Sequence, residues 1–297
     1  MSDLALYACS VLIWGSTWLA IKFQLGIVPP AVSVAFRFAV AALILLAYSA
    51  YKRLPLRFDA RTHGWLALQG LLLFGINYVL VYLSEQTLTS GLVAVIFSLV
   101  AFCNIMGLRL FFSVPVKRAA LAGAALGIVG VALVFWPELS HFSVSPQRRL
   151  GLVFALVATA VASLGNMTAT RNHRSQLPVI QANAWAMMYG AIFVAIYAML
   201  AGQQFVFDRS AAYVASLLYL ALFGSVIAFV AYLTLLGRIG ADRAGYAAVA
   251  IPVVALVLST LFEDLHWDAA MLCGLGLCLA GNVLVLARSR AARRPPA

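Results

Sequence analysis

The stretch from Leu71 to Phe112 contains two apolar runs of about twenty residues, hinged on the polar island Ser84-Glu85-Gln86-Thr87. A hydrocarbon core of about 30 Å takes roughly 20 helical residues to cross, so each run is long enough, and the pair reads as a membrane hairpin. In lipid every backbone N–H and C=O must find its partner within the protein, which leaves helices or a closed barrel. Unbroken apolar runs, without the alternating ten-residue segments of a barrel strand, select helices. The rest of the chain agrees: 64% of its 297 residues are hydrophobic and 10% charged, against nearly half and a quarter in soluble domains. The fold class is an all-α polytopic membrane protein with the lipid bilayer as its first partner.

Ten spans are predicted, at 4–23, 31–51, 65–83, 91–112, 117–136, 151–171, 180–200, 213–236, 244–262 and 268–287. The first is read as retained, since Asp3 and no basic residue precedes it where a secretory leader would be basic. The net charge of +11 suggests nucleic acid until its distribution is seen. Even-numbered loops and the tail hold fifteen of the twenty Lys and Arg residues, odd-numbered loops hold Lys22, Arg148, Arg149 and Arg209, and Arg37 lies within a span. Basic loops mark the cytoplasmic side, so both termini are placed in the cytoplasm and no nucleic-acid partner is implied. Cys9, Cys103, Cys273 and Cys278 fall inside spans and are read as small apolar residues.

The chain echoes itself. Leu73-Phe74-Gly75 recurs as Leu222-Phe223-Gly224 at an offset of 149, Gly15 matches Gly165, Pro29-Pro30 matches Pro178, and Gly123-x6-Gly130 matches Gly274-x6-Gly281. Two copies of five spans, an odd number, must enter the membrane from opposite sides, which is an inverted-topology repeat with a site expected near the midplane between the halves. The expected organisation is a first repeat at 1–137, an extracytoplasmic loop at 138–150, a second repeat at 151–288 and a basic tail at 289–297.

Ile13-Trp14-Gly15-Ser16-Thr17, Phe36-Arg37-Phe38, Ser84-Glu85-Gln86 with Thr89-Ser90-Gly91-Leu92, and Pro252 before Leu261-Phe262-Glu263 together resemble the drug/metabolite transporter superfamily, EamA-type. Within it the chain is most similar to the YddG-like exporters of aromatic and other neutral amino acids. The resemblance implies ten helices, a central cavity and efflux across a bacterial inner membrane. The chain departs from the pattern at Ala101, where the family often has Pro, and at Phe112, where an acidic residue often stands, while the second half keeps Pro252 and Glu263.

Helical spacing proposes the cavity face. Phe74, Asn77, Tyr78, Tyr82 and Glu85 share one side of the third span, Ser163, Asn166 and Thr170 one side of the sixth, and Trp14 and Trp18, with Thr17 alongside, one side of the first. Phe97 and Ser98, Trp185, Phe229 and Tyr232, and Tyr246 complete the substrate-binding candidates. Interhelical hydrogen bonding and interfacial anchoring compete as explanations for such residues. Arg37, Glu85 and Pro252 are structural or gating candidates. Arg37, about 10 Å inside its helix, is expected either to pair with Glu85 or to reach outward or onto backbone carbonyls, and Pro252 is expected to kink the ninth span.

No HExxH, P-loop or paired intramembrane acid is present, and His63, His141, His173 and His266 lie in loops or at span ends. Neither a catalytic site nor a metal or other cofactor is expected. The reading is an exporter of amino acids working by alternating access, functional as a monomer and driven by the substrate gradient. The alternatives are export of another small metabolite or drug, such as a nucleoside, purine or sugar derivative, or a channel-like protein.

Overall fold

A computed structural model describes residues 1–116, 118–136, 145–239 and 247–287. All regular structure among them is helical. The rods are α1 (Asp3–Lys22), α2 (Pro30–Tyr51), α3 (Ala60–Glu85), α4 (Ser90–Phe112), α5 (Arg118–Val134), α6 (Pro146–Arg174), α7 (Val179–Leu200), α8 (Ala211–Leu218 continuing to Ala228–Ile239), α9 (Ala247–Phe262) and α10 (Ala269–Ala287). Seven, namely α1–α4 and α6–α8, are long and apolar enough to cross a membrane; α5, α9 and α10 are shorter apolar helices.

Helix starts follow local chemistry. Ser2, Asp59, Ser145 and Ser210 each accept a bond from the backbone N–H three residues on, so a donor left free by helix geometry is satisfied. Pro30 and Pro146 stand in first turns, where a missing N–H costs nothing. The Ser145–Pro146 start gives α6 five residues more than the expected 151–171 span. Leu4, Leu110 and Leu200 are 77%, 76% and 85% exposed, which suits a surface facing lipid rather than water.

The rods pack mainly across the middle of the sequence: α5 on α10, α2 on α7, α1 on α8 and α9, and α6 on α3 and α4. At the α5–α10 crossing Gly130 abuts Gly274, where a Cβ would lie 2.5 Å from a carbonyl oxygen, while Gly281 abuts Gly123. Residues 123 and 130 thus meet 281 and 274, so these helices run antiparallel. Small residues allow this approach, as is usual where lipid offers helices no hydrophobic drive to associate.

Three rods depart from regular α-helix. α3 and α8 each contain a π-helical segment, Gly70–Ile76 and Tyr219–Ile227, and both coincide with the Leu-Phe-Gly echo. α4 breaks at Ser98–Leu99, between Phe97 and Val100. There Ser98 Oγ donates to Val95 O at 2.7 Å, and Leu99 N reaches only three residues back, to Ile96 O, tightening the turn. No proline causes this break. Conversely α9 remains helical through Pro252.

Candidate functional site

Where the two halves meet, a two-chambered cavity runs along the bundle axis. The first chamber, about 240 Å³, is walled by Trp14, Thr17 and Trp18 from α1, Asn77, Tyr78 and Val81 from α3, Phe97, Ser98 and Ala101 from α4, Phe229 from α8, and Ile251 and Pro252 from α9. The second, about 600 Å³, shares Asn77, Tyr78, Phe97, Val100 and Phe229 with it. It adds Gln69, Asn104, Asn166, Thr170, Asn172, His173, Asn183 and Tyr232. No Asp, Glu, Lys or Arg is among the described lining residues.

The chambers differ in chemistry. Rings dominate the first, where Trp18 meets Phe97 edge-on at 5.2 Å and Trp14 meets Phe229 at 5.3 Å. Trp14 Nε1 donates across the halves to Gly224 O at 3.1 Å, inside the α8 π segment. Such segments recur at functional sites because they free backbone groups from the helical ladder. Carboxamides dominate the second chamber: Asn172 donates to Gln69, Gln69 to Asn183, and Asn166 to Asn104, at 2.8, 3.0 and 3.3 Å. A carboxamide offers both donors and acceptors without fixed charge.

The two ends of the cavity are unlike. One reaches exposed His173 at the turn between α6 and α7, on the face that also carries Met1, which accepts from Arg238 at the end of α8. The other is tied shut. Lys22 Nζ donates to Glu85 O at 2.6 Å and Leu88 O at 2.8 Å and lies 3.4 Å from Glu263 Oε1. The Glu263 carboxylate accepts from Ser90 N at 3.0 and 3.1 Å, from Ser259 Oγ at 2.7 Å and from Ser90 Oγ. A carboxylate thus caps α4 while α1 and α9 are drawn onto the same point.

Of the residues expected to face substrate, Thr17, Trp18, Asn77, Tyr78, Phe97, Ser98, Asn166, Phe229 and Tyr232 line the chambers, as does Pro252. Three are placed elsewhere. Tyr82 shares the face of Tyr78 but lies one turn nearer the tied end, fully buried and donating to Gln24 Oε1. Ser163 is buried on α6 outside the lining. Trp185 donates to Leu56 O at 3.0 Å and packs its ring on His63 at 4.9 Å, clamping the connection between α2 and α3. Tyr246 lies outside the described residues.

The expected pairing of Arg37 with Glu85 is not formed. Both oxygens of Glu85 lack a hydrogen-bond partner, and the Arg37 guanidinium carbon instead lies 4.6 Å over the Tyr78 ring. Tyr78 is seven residues below Glu85 on α3, about 10 Å at 1.5 Å per residue, so a guanidinium seated on that ring makes no ion pair with the carboxylate, although the two charges still interact at longer range. Nor does Arg37 reach outward: it is 2% exposed. Sequence reasoning also missed the tie and most of the carboxamides. A signal existed for Asn104, a lone amide in an apolar run, and for Glu263, which stands in the family pattern.

A helical membrane protein with a neutral central cavity, open at one face and tied at the other, is built as a carrier is built. The chain belongs to the EamA-like transporter family, whose model matches it twice, at residues 2–136 and 149–287. It is 30% identical over 261 residues to the uncharacterized inner membrane transporter YedA of Escherichia coli K12, covering 86% of this chain and 81% of the relative. It is 26% identical over 290 residues to a Salmonella typhimurium protein named "Probable amino-acid metabolite efflux pump", covering 93% and 90%. A solved crystal structure shares the fold at a TM-score of 0.69, with 16% identity over 99% of both chains.

Proposed function

We propose that the protein exports amino acids, aromatic and other neutral ones, across a bacterial inner membrane by alternating access through this cavity. The observation that carries the reading is the cavity itself: uncharged, ringed by aromatics and carboxamides, and closed at one end by a tie that joins both halves. A zwitterion needs donors for its carboxylate and acceptors for its ammonium, which the amides and hydroxyls supply, and the rings accept the side chain. Weak neutral contacts favour release on the far side. The efflux-pump name of the Salmonella relative points the same way, and an inner-membrane location follows the name of YedA.

In this reading ten spans form two inverted five-helix repeats, 1–137 and 151–288, joined by the loop at 138–150, with both termini and the tail at 289–297 in the cytoplasm. The antiparallel α5–α10 crossing supports the inversion. The chamber at His173 then opens to the cytoplasm and the Lys22–Glu263 tie seals the outside, a state ready to load. The site is complete within one chain, as a functional monomer requires. No acid lines the cavity among the described residues, which supports export driven by the substrate gradient.

Uptake by proteoliposomes of a panel of amino acids, nucleosides and sugars tests the reading. Saturable counterflow of aromatic amino acids is expected, and Tyr78→Ala and Asn166→Ala should each lower it about tenfold or more while insertion is unchanged. Liposomes that move nucleosides but no amino acid would instead favour nucleobase recognition by the carboxamides around Gln69 and Asn172.

A further inference from the structure

Arg37 holds a buried positive charge one layer behind a cavity whose described lining bears no fixed charge. Its Nε and Nη1 atoms are buried without hydrogen-bond partners, and it makes no ion pair among the described residues. Two rings face it, Tyr78 at 4.6 Å and Phe38 at 5.2 Å from the guanidinium carbon, and Gly224 of the α8 π segment lies beside it, a Cβ there falling 3.6 Å from Nη2. Tyr82 and, more weakly, the buried Glu85 are the other electrostatic neighbours of Arg37 on α3; a charge at such depth is costly unless something offsets it, and a ring face offsets only part. Packing alone does not account for it, since an apolar side chain would fill the place without the cost. Tyr78, on which it is stacked, lines both chambers.

We propose that Arg37 selects for a carboxylate on the cargo, acting from behind the Tyr78 ring so that this wall is the carboxylate end of the cavity. The proposal rests on the reading of the chain as an amino-acid exporter and deepens it. A carboxylate against the cavity side of Tyr78 would sit about 8 Å from the guanidinium. At an effective dielectric of about 20, unit charges at that distance attract with an energy worth roughly thirtyfold in binding. A cargo with an amine and no carboxylate is repelled by the same charge. The ammonium is therefore directed away from Tyr78, toward the rings of Trp14 and Trp18. Arg37 does not touch the cargo; it is a specificity-determining residue acting through Tyr78.

The test is competition against labelled phenylalanine in proteoliposomes by two analogues: N-acetylphenylalanine, which keeps the carboxylate and loses the ammonium, and phenylalaninamide, which keeps the amine and loses the carboxylate. The ratio of their half-inhibiting concentrations is taken within one preparation, so yield does not enter. Wild-type protein should favour the acid by about tenfold or more. Arg37→Gln and Arg37→Met should bring the ratio close to one, and Arg37→Lys should hold it. A ratio unchanged in both uncharged variants, or a wild-type protein indifferent to the two analogues, overturns the proposal. Loss of insertion by both uncharged variants assigns Arg37 to folding and overturns it equally. Wild-type liposomes that move no amino acid sink the exporter reading itself, a different result from any of these.

Discussion

The two ends of the bundle are built from matching parts of the two halves, yet one is shut and the other open. At the shut end Lys22 closes α1, Glu263 follows α9, and Ser90 begins α4. At the open end the counterparts, displaced by 150 and 151 residues, are Asn172 near the end of α6 and Phe112 closing α4. Asn172 spends its amide on Gln69, and Phe112 offers its ring to Arg174, whose guanidinium carbon lies 4.2 Å from the centroid. One end thus has a carboxylate with several donors, each charge-assisted bond worth about 1.5–3 kcal/mol. The described residues of the other have a cation over a ring, worth about 0.5–1 kcal/mol at an exposed site. A shared family pattern thus carries different side-chain contacts at its two ends.

That contrast depends on the halves being equivalent elsewhere, and the α5–α10 crossing is where equivalence is easiest to break. Exchanging the halves turns the Gly130–Gly274 contact into the Gly281–Gly123 contact. At both places the obstacle is backbone, which cannot move aside as a side chain does. Gly130→Leu and Gly281→Leu should therefore each destabilise the fold by roughly 3 kcal/mol or more, at or beyond the upper end for overpacking. Thermal unfolding in detergent would read this as two losses of similar size. A large loss for one and none for the other would mean that the halves differ in their scaffold as well as their gates.

Glu263→Ala is the next largest test. It removes the cap of α4, the acceptor of Ser259 and the partner of Lys22 together. The Lys22–Glu263 contact is long at 3.4 Å, with side chains 27% and 10% exposed; the Ser90 N bonds, at 3.0 and 3.1 Å, are the closer ones and also cap α4. With those gone the shut end should open ten- to a hundredfold more often. A cysteine at Ala94, on the cavity wall below the tie, should then be labelled by an impermeant reagent from the outside at a correspondingly higher rate. An unchanged rate would place the seal elsewhere.

How much of this was legible in sequence varies by kind of feature. The rods were, because a twenty-residue apolar run has few alternatives in lipid, and nine of the thirteen residues proposed to face substrate line the cavity. Tyr82 was misplaced because helical periodicity fixes a face but not a height. Tyr82 and Tyr78 share the face, and only the tie decides which lies under the seal. Trp185 was misplaced because a Trp near a helix end satisfies its N–H wherever a free carbonyl lies, here Leu56 O. The π segments coincided with the Leu-Phe-Gly echo, yet nothing in those residues announces an extra residue per turn. The break in α4 was not expected, since Ala101 stands where the family often has Pro; it falls at Ser98, a short-range competition between hydroxyl and helix that composition does not reveal.

The smallest expected effect is also the sharpest test of the comparison, because it adds an interaction where the preceding tests remove one. Phe112→Glu places a carboxylate at the repeat counterpart of Glu263, next to the guanidinium of Arg174. Arg174 is exposed and Phe112 half-buried, so the new pair should contribute about 0.2–1 kcal/mol, the range for ion pairs open to solvent. The loss of the ring from Arg174 subtracts part of that. The repeat counterpart of Ser90, 150 or 151 residues on, lies outside the described residues, so the pair is weighed alone. A shift of no more than about fivefold away from the state open at His173 is therefore expected, read as slower labelling of a cysteine at Asn183 on the second chamber's wall. Combined with Glu263→Ala, it should move the protein further toward the opposite state than either change alone, with roughly additive free energies, since the sites lie at opposite ends. If Phe112→Glu leaves Asn183 labelling untouched while Glu263→Ala opens the far end, the open face is held by something other than a missing carboxylate.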